Sequence, residues 1–163
     1  MDTSHRMDGF KTISQGGGGL FCGAIAITNV VNNVQWLDNK PYREIKMLCR
    51  WVEENLVLKE REIGLKISKV IGDNFKIQVI DSVCQLLELK SDYYGKNKAS
   101  ILKVDMDQHI LATIVNTGGH YVAIISRNKR FFKLDSMGTL IQEMTRLRVE
   151  KYINSCCFVR ITI

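Results

Sequence analysis

The sequence predicts an α+β domain with its helices first and an antiparallel sheet after them. Through the first half of the chain, apolar residues recur at helical spacing; in the last third they switch to short runs rich in β-branched and aromatic residues. With 163 residues, 45% of them apolar, and a single proline, the chain has enough material to bury one core of its own. A mean hydropathy near zero and 25% charged residues exclude a disordered or collagenous chain.

Residues 1–14 mix polar, charged and apolar side chains without a period, which predicts a loose N-terminal lead. Residues 15–163 are expected to form one domain. Gln15 and the run Gly16-Gly17-Gly18-Gly19 lead straight into Leu20-Phe21-Cys22, and from Cys22 the apolar residues Ile27, Val30, Val31 and Val34 follow helical spacing. Ala24, Ile25 and Ala26 make the first turns apolar all round, so a buried helix is expected to begin at the cysteine. Pro41 suits the first position of a second helix, striped by Ile45, Leu48, Cys49, Val52 and Leu56. A charged stretch from Lys59 to Lys66 leads to Ile67, Val70 and Ile71, and Gly72-Asp73-Asn74 closes that section. A third helix is expected over residues 75–89 and a polar turn over 92–98. Strands are expected at 100–104, 109–115, 121–125, 131–134 and 157–163.

The five cysteines, Cys22, Cys49, Cys84, Cys156 and Cys157, are odd in number and irregular in spacing. Neither a disulfide scaffold nor a metal site is expected. The net charge of +6 is carried by scattered basic residues, which suggests a solvated surface and no specific nucleic-acid partner. No run reaches the roughly 18 to 20 apolar residues of a spanning helix, and the polar start lacks a secretory core. An intracellular, monomeric protein without a membrane span is the expectation.

Chemistry is expected where the cysteine and the late histidine meet. A thiol becomes a good nucleophile only when ionised, and the unpaired amides of a helix start favour the thiolate, so Cys22 is well placed. Gly118-Gly119-His120 opens one strand and Asp135 closes the next. A turn centred near Arg127 and Asn128 would set residues whose numbers sum to about 255 opposite one another, and His120 would face Asp135 directly. The carboxylate would then orient the imidazole while its other nitrogen deprotonates the thiol. A slip of one residue would separate the pair onto opposite faces. Cys49 and Cys84 fall on apolar stripes and read as core, His5 lies in the lead, and His109 reads as an exposed strand start.

Four stretches in order resemble the Josephin family of deubiquitinases. They are Gln15 through Leu20-Phe21-Cys22 to Asn29-Val30-Val31; Phe75-Lys76-Ile77-Gln78-Val79-Ile80; Gly119-His120-Tyr121-Val122-Ala123; and Phe131-Phe132-Lys133-Leu134-Asp135-Ser136. Two departures stand out: four glycines separate Gln15 from Leu20, and residues 36–72 match the family's helical hairpin in character but not in sequence.

The resemblance implies a papain-like fold, with Cys22 as nucleophile, His120 as general base and acid, Asp135 as orienter and Gln15 as oxyanion donor. It also implies ubiquitin or polyubiquitin as partner and no cofactor. Gly19, Leu20, Phe21, Gly118 and Gly119 would line a narrow channel for a Gly-Gly tail. Glu53, Glu54, Glu60 and Glu62 are candidates for acidic surroundings to ubiquitin's basic tail. Two rivals to ubiquitin hydrolysis are a papain-like deamidase or polyprotein protease, and a catalytically weak ubiquitin-binding module.

Overall fold

The computed structural model describes residues 3–7, 10–14, 22–34, 39–62, 76–95, 110–118, 120–135 and 141–162, with the backbone alone at 3–7, 10–14, 22 and 56–62. Helix α1 spans Cys22–Val31 and begins at the cysteine, as its periodicity predicts. Every residue from Ala24 to Val31 is buried, and buried Thr28 satisfies its hydroxyl by donating to the Ala24 carbonyl at 2.8 Å.

Helix α2 (Tyr42–Glu62) starts one residue after Pro41, whose carbonyl accepts from the Glu44 and Ile45 amides. The proline therefore stands just before the helix rather than at its first position, a place where its missing N–H costs nothing. Ile45, Cys49 and Val52 are buried along the predicted stripe. Helix α3 (Ile77–Leu86) ends earlier than residue 89 because Glu88 takes a left-handed conformation, φ +65°, so that the Leu89 amide donates back to the Cys84 carbonyl at 3.1 Å.

Six strands form one antiparallel sheet: β3 (Lys90–Tyr94), β4 (Ile110–Asn116), β5 (Tyr121–Arg127), β6 (Arg130–Asp135), β7 (Gln142–Met144) and β8 (Cys157–Thr162). Their order across the sheet is β3-β8-β4-β5-β6-β7. The last strand in the chain is thus inserted between β3 and β4, and every neighbouring pair is antiparallel. Alternation sends Ala112, Ile114, Ala123, Ile125, Leu134 and Val159 to the face covered by α1, α2 and α3. Val115, Val122, Ile124, Phe131 and Phe158 go to the opposite face, where α4 (Arg146–Ser155) packs through Val149 and Ile153.

Four features differ from expectation. The N-terminal lead, expected to be loose, is a hairpin of β1 (Thr3–Met7) and β2 (Phe10–Ser14), and its backbone passes beside α1. The two strands pair from Thr3↔Ser14 to Met7↔Phe10. The polar stretch from Lys90 is a strand because β8 pairs along it, and one face of it needs only Ser91 to be buried. Helix α4 and the short β7 also depart from the sequence reading. Buried Val149 and Ile153, each worth roughly 1.5–3 kcal/mol on burial, anchor α4 with half-buried Tyr152 beside them, too sparse a stripe to announce a helix but enough to hold one that would be marginal alone. The expected strand at 100–104, His109 and residues 63–75 lie outside the described residues.

Cys49 and Cys84 are wholly buried in the core, as their stripes indicate. Burial, with Asp81 and Cys49 adding to it, pushes the Cys84 thiol far above its ordinary range, so it does not serve as a nucleophile at neutral pH. Among the described residues no helix is long and apolar enough to cross a membrane, and no three His, Cys, Asp or Glu side chains gather as a metal would require.

Asp81 ties α3 to the edge strand: the Ser91 hydroxyl donates to its Oδ1 at 2.6 Å. Burial raises the carboxyl's pKa, the Ser91 bond opposes this, and Asp92 adds to the rise. A carboxyl with a raised pKa in the fold binds its proton more tightly there than in the unfolded chain. Its contribution to stability is therefore full below the unfolded value of 3.8 and is lost as pH rises through the folded value. Asp81→Asn should remove this dependence, so that calorimetry finds the variant gaining on the wild type in Tm as pH is raised above 3.8. An unchanged gap between the two proteins across that range would contradict the account.

Candidate active site

Two tight hairpins bracket β5 and decide what meets at its ends. At its start, Asn116 of β4 makes the last ladder pair with Tyr121, and just beyond it the Thr117 amide donates to the His120 carbonyl at 2.7 Å. Gly118 has φ +91°, a left-handed conformation that its missing Cβ makes inexpensive. At the far end, Arg127 pairs with Arg130 across Asn128 and Lys129, whose φ values of +53° and +62° are those of a type I′ turn.

This second turn corrects the expected register. It centres on Asn128 and Lys129, one residue later than anticipated, so Asp135 pairs with Val122 and not with His120. His120 stands two residues before Val122, and a displacement of two keeps both side chains on the same side. Diagonal neighbours of this kind remain within reach of a long side chain. His120 Nε2 lies 2.6 Å from Asp135 Oδ1, and each side chain is 27% exposed. The expected pair therefore meets, by a diagonal contact instead of a direct one. It stands at the end of the sheet where β5 begins and β6 ends.

A carboxylate only accepts, so in the neutral ring Nε2 carries the proton and Nδ1 is the basic nitrogen. The pair presents a base whose tautomer and ring direction are both fixed.

The direction of α1 follows from one long-range contact. Arg127, at the end of β5, donates through Nη2 to the carbonyl of Asn33 just beyond the helix, at 3.4 Å. Helix α1 lies against β5, and with their far ends joined the two run the same way. Cys22 and Asn33 are separated by about 16 Å of helix, and His120 and Arg127 by about 23 Å of strand. The Cys22 end of α1 thus lies toward the His120 end of β5. The first turn of α1 contains no acidic residue to compete for the positive end of its dipole. The Cys22 side chain lies outside the described residues, as do Gln15, Gly19, Leu20, Phe21 and Gly119. Gly118 is exposed, and its turn conformation accounts for a glycine there whether or not a substrate passes.

Sequence reasoning missed two contributors. Thr117 touches the His120 carbonyl with its hydroxyl as well as its amide, and Arg127 orients α1. A threonine before Gly-Gly and an arginine at a strand end carry no signal by themselves.

A helix beginning at a cysteine, packed on an antiparallel sheet that ends in a His–Asp pair, is the architecture of papain-like cysteine peptidases. Among solved structures, the crystal structure of a double glycine motif protease from an AMS/PCAT transporter, in complex with the leader peptide, aligns with a TM-score of 0.56 at 13% identity, covering 94% of this chain and 92% of that one. The Josephin family model matches residues 43–163, and the chain belongs to that family. His120 and Asp135 fall inside the matched stretch, whereas Cys22 and Gln15 precede it. A search of curated proteins finds no match.

Since the register of β5 and β6 rests on turn geometry, the turns themselves are testable. Lys129→Gly relieves a left-handed lysine and should stabilise the fold by about 1 kcal/mol. Gly118→Ala should destabilise it by about 1–2 kcal/mol through backbone strain. Because an added Cβ there would meet nothing within 4 Å, any loss cannot be assigned to a clash. Urea unfolding measures both; stabilisation by Gly118→Ala would contradict the turn assignment.

Proposed function

We propose that the chain is a cysteine-dependent deubiquitinase that cleaves the bond at the C-terminal glycine of ubiquitin through a thioester. The observation that carries this reading is the 2.6 Å contact of His120 with Asp135, inside the Josephin match and at the end of β5 toward which the start of α1 lies.

In this mechanism the Cys22 thiol loses its proton to His120 Nδ1, and the thiolate is favoured by the amides of the α1 start. The sulfur adds to the carbonyl of the terminal glycine, and Gln15 donates to the oxyanion that forms. Collapse breaks the carbon–nitrogen bond as the imidazolium gives its proton to the departing lysine amine. Water, deprotonated by His120, then hydrolyses the thioester. Asp135 holds the ring throughout and accompanies the charge it carries between the two steps. Gly19, Leu20, Phe21, Gly118 and Gly119 are assigned to the channel for the Gly-Gly tail. The double glycine named for the structural neighbour supports a preference for such a tail in this fold.

One supporting idea needs revision. Of the four glutamates considered as acidic surroundings for the ubiquitin tail, Glu53 is buried at 3% exposure within 3.7 Å of Arg50, and so does not offer its charge to a docking surface. Glu54 is exposed, and the side chains of Glu60 and Glu62 lie outside the described residues.

Incubation with a ubiquitin bearing a C-terminal electrophile, read by intact mass, tests the proposal. The wild type should gain one ubiquitin, Cys22→Ala none, and His120→Ala should label at a small fraction of the wild-type rate. If Cys22 reacts with a small alkylating reagent but never with the ubiquitin probe, ubiquitin is not the substrate and another Gly-Gly tail takes its place.

A further inference from the structure

We propose that Thr117 is a positioning residue for His120, its hydroxyl fixing the backbone from which the imidazole reaches the thiol. The inference rests on the reading of His120 as the base and adds the means by which that base is held. His120 stands just beyond the last pair of the β4–β5 ladder, Asn116 with Tyr121, a place where strands ordinarily fray. Here its carbonyl accepts two hydrogen bonds from the residue directly across the hairpin, the Thr117 amide at 2.7 Å and the Thr117 Oγ1 at 3.0 Å. A carbonyl has two lone pairs, so both bonds are accommodated. The turn is braced from the same side, with the Gly118 amide donating to Asn116 Oδ1 at 3.1 Å.

His120 is thus held at two points, at its carbonyl by Thr117 and at Nε2 by Asp135. The two anchors do different work. If the backbone anchor loosens while Asp135 keeps its contact, the ring pivots about Nε2 and Nδ1, across the ring from the pivot and proposed to serve the thiol, is displaced. Loss of the Thr117 hydroxyl should therefore slow proton exchange with Cys22 without releasing the imidazole from Asp135, a combination that general loosening of the fold would not produce.

The test compares the wild type with Thr117→Val, which keeps the branched shape and removes the hydroxyl, and with Thr117→Ser, which keeps the hydroxyl. Alkylation of Cys22 by a neutral haloacetamide at neutral pH, followed by intact mass, should slow on the order of tenfold in Thr117→Val, short of the hundredfold that a full ångström of misplacement can cost. Thr117→Ser should react close to the wild-type rate. The imidazole nitrogen signals of His120 should report the Nε2-protonated tautomer in all three proteins. The proposal is overturned if Thr117→Val reacts like the wild type, if Thr117→Ser is as slow as Thr117→Val, or if the tautomer signature is lost along with reactivity. Should Thr117→Val fail to fold by circular dichroism, Thr117→Ala against Thr117→Ser makes the same comparison. A wild-type rate that His120→Ala leaves unchanged would instead overturn the base reading, and it would do so without any Thr117 variant.

Discussion

Everything proposed for the site depends on a two-residue turn at the opposite end of the sheet. Asn128 and Lys129, both left-handed, fix the pairing of β5 with β6, and the period of two along a strand carries that register without loss to the other end. There it sets Asp135 diagonal to His120, close enough for a 2.6 Å contact. A turn one residue longer would leave the hairpin intact but send the carboxylate to the other face. The geometry of the His120–Asp135 pair is in this sense an arithmetic consequence of turn length.

The same hairpin also aligns the helix. Arg127 closes the turn as the partner of Arg130 and holds the Asn33 carbonyl at the end of α1. One element thereby places both the His120–Asp135 pair and, through the direction of the helix, the end of α1 that carries the cysteine. This economy is what the proposed mechanism requires, because Cys22 and His120, the residues proposed as nucleophile and base, are far apart in sequence and are related only through the packing of α1 on β5. Burial of α1 on every side makes that packing rigid, since the core of α1, α2, α3 and the sheet leaves it no exposed face on which to slide.

Much of this was legible in the sequence because it was written in strong periods. The start of α1 at Cys22, the strands β4, β5, β6 and β8, and the burial of Cys49 and Cys84 all follow from apolar spacing. The meeting of His120 with Asp135 was legible in kind, and its register was not. Asn128-Lys129 lacks the glycine that ordinarily marks a type I′ turn, so the turn's centre could not be read from composition. Elements held by few apolar contacts were illegible for a related reason. β3 is a strand because β8 lies along it, and α4 is a helix because two residues out of ten find a pocket on the sheet. Thr117 was invisible because a hydroxyl bonding across a hairpin leaves no trace in a linear pattern.

The family match begins at Arg43, after the cysteine, so the place of Cys22 is where the account is most exposed. A crystal structure of the active protein measures it directly. The account predicts Cys22 Sγ within about 4 Å of His120 Nδ1, in the range of a thiol–imidazole pair before substrate arrives, with Nε2 still on Asp135. A Cys22 side chain directed away from the imidazole, with His120 Nδ1 held by some other group, would contradict it.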